Sequence, residues 1–182
     1  DTAPDMGFAL NAVRRERGEP PLAAEAIRPR VSGGAPRLLE LGFGVGRDDP
    51  AFPALHQSFL GHYQANLARG TRVFPGMEEV LAGVEALALP WGVVTNKPGW
   101  LTRPLLAALG LDRRAACVVS GDTTPHSKPH PLPLLHACEL VGVRDVNGRL
   151  CAGIKVISDM DGFRYDSYNG VVRVDDKPGQ DM

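Results

Sequence analysis

Cysteine is scarce in this chain. Cys117, Cys138 and Cys151 are far apart, include no CxxC pair and form an odd set, which excludes a full disulfide framework and points to a reducing, cytoplasmic compartment. An excess of either charge is also missing: 20 lysines and arginines face 21 aspartates and glutamates, for a formal net charge of -1. Nothing in that balance calls for nucleic acid or an anionic membrane as a partner. No apolar run approaches the roughly 18 residues of a membrane span. No charged-then-apolar leader opens the sequence, so the expectation is a soluble, unexported protein. Internal repeats and low-complexity tracts are absent as well. The chain opens on Asp1 rather than methionine and therefore reads as a fragment whose N-terminus is unseen.

What is present is an ordinary globular composition, 43% hydrophobic and 23% charged over 182 residues. That is enough for one domain, or for one core with a smaller inserted lobe. Met6, Leu10 and Val13 stand at helical spacing within 5–17, and Gly18 stops the segment as a helix-ending glycine does. Pro20 and Pro21 precede a second helix start at 22–27. A third helix is expected at 35–41 and a long fourth at 53–67, with Gly33 and Gly34 in a loop able to approach a ligand closely. Residues 1–72 therefore read as helical, with no convincing strand.

The texture changes after Gly70. A short extended entrance and turn at 73–76 leads into 77–87, which repeats apolar residues as a core-facing helix would. From there strand and helix alternate: 91–94 is a wholly apolar strand ending in Thr95-Asn96, 100–109 a helix closed by Gly110, 117–120 a second apolar strand, and 132–141 a helix closed by Gly142. Short apolar strands between amphipathic helices argue for βαβ units and a parallel sheet covered on both faces over 73–143. Near Val143 the composition shifts again, from alanine, proline and leucine to aspartate, glycine, valine and tyrosine. The hairpin dipeptides Asn147-Gly148 and Asn169-Gly170 then suggest an atypical, β-rich tail over 144–182.

Candidate chemistry sits at the strand ends. Thr95 and Asn96 close an apolar strand, at the edge where an open parallel sheet binds ligands, and a hydroxyl with neighbouring N–H groups there suits a phosphate. Taken alone, Thr-Asn-Lys-Pro-Gly is equally a turn built of turn-forming residues. Lys128 lies in Ser127-Lys128-Pro129-His130-Pro131, where the prolines rigidify the backbone before a helix and an ammonium can face a phosphate as a point charge. Taken alone, it is equally a solvated loop lysine. His126, His130 and His136 read as surface and capping residues rather than a metal cluster.

The order of these features carries more than any one of them. Asp-Thr-Ala-Pro-Asp opens the chain, an all-helical stretch follows, and then come Phe-Pro-Gly-Met, Val-Val-Thr-Asn-Lys, Leu-Gly-Leu, Val-Val-Ser-Gly-Asp and Lys-Pro-His-Pro. Over about residues 1–143 this resembles the haloacid dehalogenase superfamily with a helical cap, and within it the phosphoglycolate phosphatases. The resemblance implies an incomplete Rossmann-like parallel core with its cap. It also implies a Mg²⁺-dependent phosphomonoesterase acting on a small phosphorylated metabolite, in which an aspartate attacks phosphorus and water hydrolyses the aspartyl-phosphate. By position Thr95 and Asn96 match the family's second motif, which binds the phosphoryl group, and Lys128 matches its third, which steadies phosphate and nucleophile.

The sequence also departs from the family. The DxDGT stretch that supplies nucleophile and general acid/base is not present, and Asp1-Thr2-Ala3-Pro4-Asp5 resembles the residues just after it. The acidic metal-ligand pattern expected soon after Val143 is absent too. In the tail, Asp159 and Asp161 follow an apolar run and could be Mg²⁺ ligands; they could equally echo the nucleophile motif, or form an acidic turn in an unrelated tail. On this reading the chain as it stands has little or no phosphatase activity. A non-catalytic remnant or interaction domain of the same fold, and a related sugar-phosphate phosphatase or phosphomutase, stay open beside it. The oligomeric state is left undetermined.

Overall fold

The computed structural model describes residues 1–143, and the tail with Asp159 and Asp161 lies outside the described residues. Two compact units divide between Ala82 and Gly83.

The first unit is helical. Helices α1 (Ala3–Glu16), α2 (Ala24–Ile27), α3 (Gly34–Phe43) and α4 (Phe52–Ala65) are joined by short loops, with a 3₁₀ segment at Arg28–Gly33. The apolar spacing read from the sequence is the buried face: Leu10 and Val13 of α1, Leu38 and Leu39 of α3, and Leu55, Phe59 and Tyr63 of α4 are all essentially inaccessible. Helices α1 and α3 approach so closely that a Cβ at Gly42 would stand 2.7 Å from the Leu10 side chain. Beneath this contact lies Arg14, a buried cation. It donates to the Pro20 carbonyl at 2.8 Å and to the Gly42 carbonyl, and it pairs with Glu19 at 2.8 Å. Burial of a guanidinium is tolerable only with its donors satisfied in this way.

One carboxylate ties the two ends of this unit together. Asp5, in the first turn of α1 and only 3% exposed, accepts from Gly70 N (2.7 Å), Thr71 N (2.9 Å) and Thr71 Oγ1 (2.6 Å). Arg72 N adds a bond to the Asp1 carbonyl at 3.3 Å, so the segment leading into α1 and the segment leaving α4 run fastened side by side.

Helix α5 (Met77–Ala86) crosses the division between the units. Its apolar spacing predicts a core-facing helix, yet none of its side chains is buried among the described residues, and Val80 and the following Leu87 and Leu89 are exposed. Periodicity establishes that a helix has an apolar face, not that something covers it.

The second unit is the α/β part. Strands β1 (Gly92–Val94) and β2 (Cys117–Val119) pair in parallel, with Gly92 opposite Cys117, Val93 opposite Val118 and Val94 opposite Val119. Helix α6 (Gly99–Ala108) provides the crossover, and α7 (Leu132–Val141) follows β2. Cys117, Val119 and Ala137 form a small core to which Val94 and Val141 add. Both helices end as their glycines predict. Gly110 and Gly142 take φ of +69° and +71°, and the next residues donate back to Leu106 and Cys138, the left-handed closure that a Cβ would strain. The expected parallel β-α-β architecture is therefore present, with each strand one residue shorter than the sequence suggests.

Candidate active site

At the carboxyl end of β1 the ladder extends one step further, Thr95 N donating to the Val119 carbonyl at 2.9 Å. Beyond that bond the chain turns. Thr95 Oγ1 accepts from Lys97 N at 3.1 Å, which holds the turn from inside. The proton of the same hydroxyl has no acceptor among the described residues and remains able to donate. Thr102 Oγ1 and Gly121 N both donate to the Lys97 carbonyl, at 3.0 and 2.9 Å, fixing the turn to α6 and to the end of β2.

Lys128 arrives at this turn from a distant loop. Its Nζ donates to the Val94 carbonyl at 2.7 Å. The Asn96 side chain grips the Lys128 backbone at both groups, Nδ2 donating to its carbonyl and Oδ1 accepting from its N–H, each at 2.9 Å. The structure thus brings Thr95, Asn96 and Lys128 together at one sheet edge. An ammonium has three donors; one is spent on Val94, and among the described residues the other two meet no acceptor. Partial burial lowers the Lys128 pKa from the ordinary lysine value, because desolvation disfavours the cation and an incoming anion would favour it.

A second lysine belongs to the same turn and was legible in the sequence only as part of it. Burial holds the Lys97 ammonium down to about 8. Desolvation is an effect of packing around the turn, and no local pattern signals it. The histidines stand apart from this chemistry. His126 and His130 stack at 4.3 Å between ring centres, and His130 Nδ1 accepts from Leu132 N at 3.1 Å at the start of α7. His136 lies 3.6 Å from Glu139 on the same helix.

Among the described residues no three His, Cys, Asp or Glu side chains converge as a metal site would require. The two acidic candidates, Asp159 and Asp161, fall outside them. No helix among the described residues is long and apolar enough to cross a membrane.

A parallel β-α-β unit with a hydroxyl, an amide and a lysine gathered at its carboxyl edge, preceded by a helical unit, defines the protein as α/β in class. The wider comparisons agree on its lineage. Residues 4–154 match the family model for haloacid dehalogenase-like hydrolases. The chain is 41% identical over 143 residues to N-acetylmuramic acid 6-phosphate phosphatase of Pseudomonas aeruginosa, which is 79% of this chain and 63% of that protein. It is 37% identical over 176 residues to phosphoglycolate phosphatase of Xanthomonas campestris pv. campestris, covering 90% and 79%. A crystal structure of a predicted phosphoglycolate phosphatase from Haemophilus somnus superposes with a TM-score of 0.66 at 25% identity, over 78% of this chain and 66% of that one. CbbY from Rhodobacter sphaeroides shares the fold, with a TM-score of 0.59 at 18% identity over 79% and 68%. The chain therefore belongs to the haloacid dehalogenase-like hydrolase family. It spans a little under two thirds of the length of the Pseudomonas relative.

Proposed function

We propose that this protein is by family a phosphatase of small phosphorylated metabolites, with 2-phosphoglycolate as the leading substrate and little or no turnover by the chain as it stands, and that Thr95, Asn96 and Lys128 form its phosphoryl cradle. The observation that carries this reading is the Lys128 ammonium 2.7 Å from the carbonyl of Val94, the residue before Thr95, with the Lys128 backbone gripped by Asn96. In phosphoryl transfer, charge is spread over the equatorial oxygens, and preplaced donors and cations stabilise it at little reorganisation cost. Thr95 supplies a hydroxyl donor from the strand end, and Lys128 two ammonium protons from the loop that the strand end holds. The role of nucleophile, which the family gives to an aspartate, falls to none of the described residues.

Magnesium is the cofactor the family implies. The described residues alone do not provide its ligand set, so Mg²⁺ enters here as an expectation, with Asp159 and Asp161 its candidate ligands. In the same reading residues 1–72 are the cap that selects the organic part of the substrate, 73–143 are the core, 144–182 are an atypical tail, and the protein works in the cytoplasm. A sugar phosphate is the second substrate class. It is favoured by the 41% identity to an enzyme named for N-acetylmuramic acid 6-phosphate.

The test is phosphate release by this chain from 2-phosphoglycolate and from N-acetylmuramic acid 6-phosphate, with and without Mg²⁺, beside calorimetric binding of inorganic phosphate. Thr95→Val and Lys128→Ala should each weaken phosphate binding at least tenfold, and binding should decline as pH rises through the depressed Lys128 pKa. Phosphate affinity indifferent to both substitutions would overturn the cradle. Turnover lost on Asp159→Asn would give the tail aspartate a working role; binding without turnover would favour the non-catalytic reading.

A further inference from the structure

The interaction between Asn96 and Lys128 is unusual in its form. The two residues are 32 positions apart, and the amide meets both backbone groups of a single residue, as a neighbouring strand would. A residue held at N–H and C=O together is restrained in both position and orientation, so its side-chain torsions are its freest part. The far end of that side chain is then anchored at Val94. Lys128 is therefore suspended between two points of one strand terminus.

The terminus itself is braced. The Lys97 carbonyl receives Gly121 N and Thr102 Oγ1, and Lys97 N reaches back to Thr95 Oγ1. The chain after β2 passes so near that a Cβ on Gly121 would run into the Asn96 carbonyl. This close approach, rather than a turn requirement, is what makes glycine necessary at 121, since its φ is not in the left-handed region.

Resting on the phosphoryl-cradle reading above, we infer that Asn96 is a positioning residue for Lys128: its side-chain amide is a splint that sets where the ammonium stands, and Gly121 is kept bare so that the splint can lie in place. Alternatives at 96 fail for chemical reasons. Aspartate keeps the acceptor but sets a carboxylate oxygen against the Lys128 carbonyl. Alanine loses both bonds, and glutamine moves the amide outward by a methylene. Asn96 and the loop it grips are largely exposed, so the splint contributes little to overall stability. Its effect is on the location of one cation.

The experiment follows the Lys128 amine directly by ¹³Cε/¹⁵Nζ NMR titration of the lysine-labelled chain, its signal assigned through Lys128→Arg, and in parallel measures inorganic phosphate binding. Asn96→Ala should free the side chain into water, moving its titration up toward the ordinary lysine range, and should weaken phosphate binding about tenfold. Gly121→Ala, which leaves the amide intact but displaces its backbone, should shift both in the same direction. A Lys128 titration unchanged in both variants, with phosphate affinity within twofold of wild type, overturns the splint. The two readings separate cleanly. Phosphate binding that depends on Thr95 and Lys128 but not on the Asn96 side chain removes the splint and keeps the cradle through those two side chains. A titration that shifts in Asn96→Ala, in a protein that binds no phosphate, keeps the splint and removes the cradle.

Discussion

The strongest single prediction concerns Asp5, because its environment allows the cost of removal to be worked out. Its carboxylate is 3% exposed and satisfies three donors, Gly70 N, Thr71 N and Thr71 Oγ1, at 2.7, 2.9 and 2.6 Å. Hydrogen bonds to a charged group are each worth roughly 1.5–3 kcal/mol, and a buried donor left without an acceptor costs about 1–3 kcal/mol. Two considerations reduce the sum. Gly70 is only half-buried, so water can reach its N–H, and removing the carboxylate also removes its own desolvation cost. Thr71, at 1% exposure, gets no such relief. Asp5→Ala should therefore destabilise the helical unit by about 3 to 5 kcal/mol, a large share of the roughly 5–15 kcal/mol that holds a domain folded.

For a unit of this size that corresponds to a fall in melting temperature of more than about 10 °C, read by circular dichroism at 222 nm. Thr71→Val removes only the hydroxyl bond and should cost about 1–2 kcal/mol. In the double variant that bond is lost once, not twice, so the effects should fall short of additive by about 1 kcal/mol or more. An Asp5→Ala protein within 1 kcal/mol of wild type, or strictly additive effects, would refute the idea that this carboxylate fastens the two ends of the unit.

Two further outcomes follow from the α/β unit. Lys97 gives up its proton near pH 8 when folded but at the ordinary 10.5 when unfolded. Between those values the unfolded chain binds more protons, so stability should rise with pH across that window by up to about 3 kcal/mol, and Lys97 should contribute no slope below it. Urea midpoints from pH 7 to 10.5 check this, and an identical slope in Lys97→Met would sink it. At the start of β1, a Cβ on Gly92 would stand 2.5 Å from Cys117 Sγ and 3.1 Å from the Cys117 carbonyl. Because one of those atoms is backbone, Gly92→Ala should cost about 1–3 kcal/mol by overpacking, and an unchanged denaturation midpoint would show that the strand pair can yield.

Sequence and structure agree where the information is local and part where it is tertiary. The helices of the first unit were legible because Leu10, Val13, Leu38 and Leu39 recur at helical spacing, and the ends of α6 and α7 because glycine relieves a left-handed closure. Thr95 and Lys128 were legible by another route, their rank in an ordered set of motifs together with the general rule that parallel sheets bind at their carboxyl edge. What the sequence withheld has one character throughout: contacts between residues far apart along the chain. Asp5 read as part of a helix start, and nothing near it in sequence announces Thr71, 66 positions away. Asn96 read as half of a phosphate-binding pair, and nothing near it in sequence announces that its side chain also grips the backbone of Lys128, 32 positions away. Helix α5 shows the converse case, an apolar period without burial.

These differences bear on how the site works. A cation tethered only by its own four-carbon stem would explore many rotamers, and placing it on an anion would cost that freedom at each binding event. Here the cost is met during folding. The strand end fixes Thr95, the braced turn fixes Asn96, and Asn96 restrains the loop residue that carries the ammonium, so that in the proposed cradle a donor hydroxyl and a cation would be preplaced before any phosphate arrives. The partial burial that lowers the Lys128 pKa belongs to the same design. It leaves the charge poorly hydrated, and in the proposed cradle a phosphate group would restore the electrostatic partner that water no longer supplies.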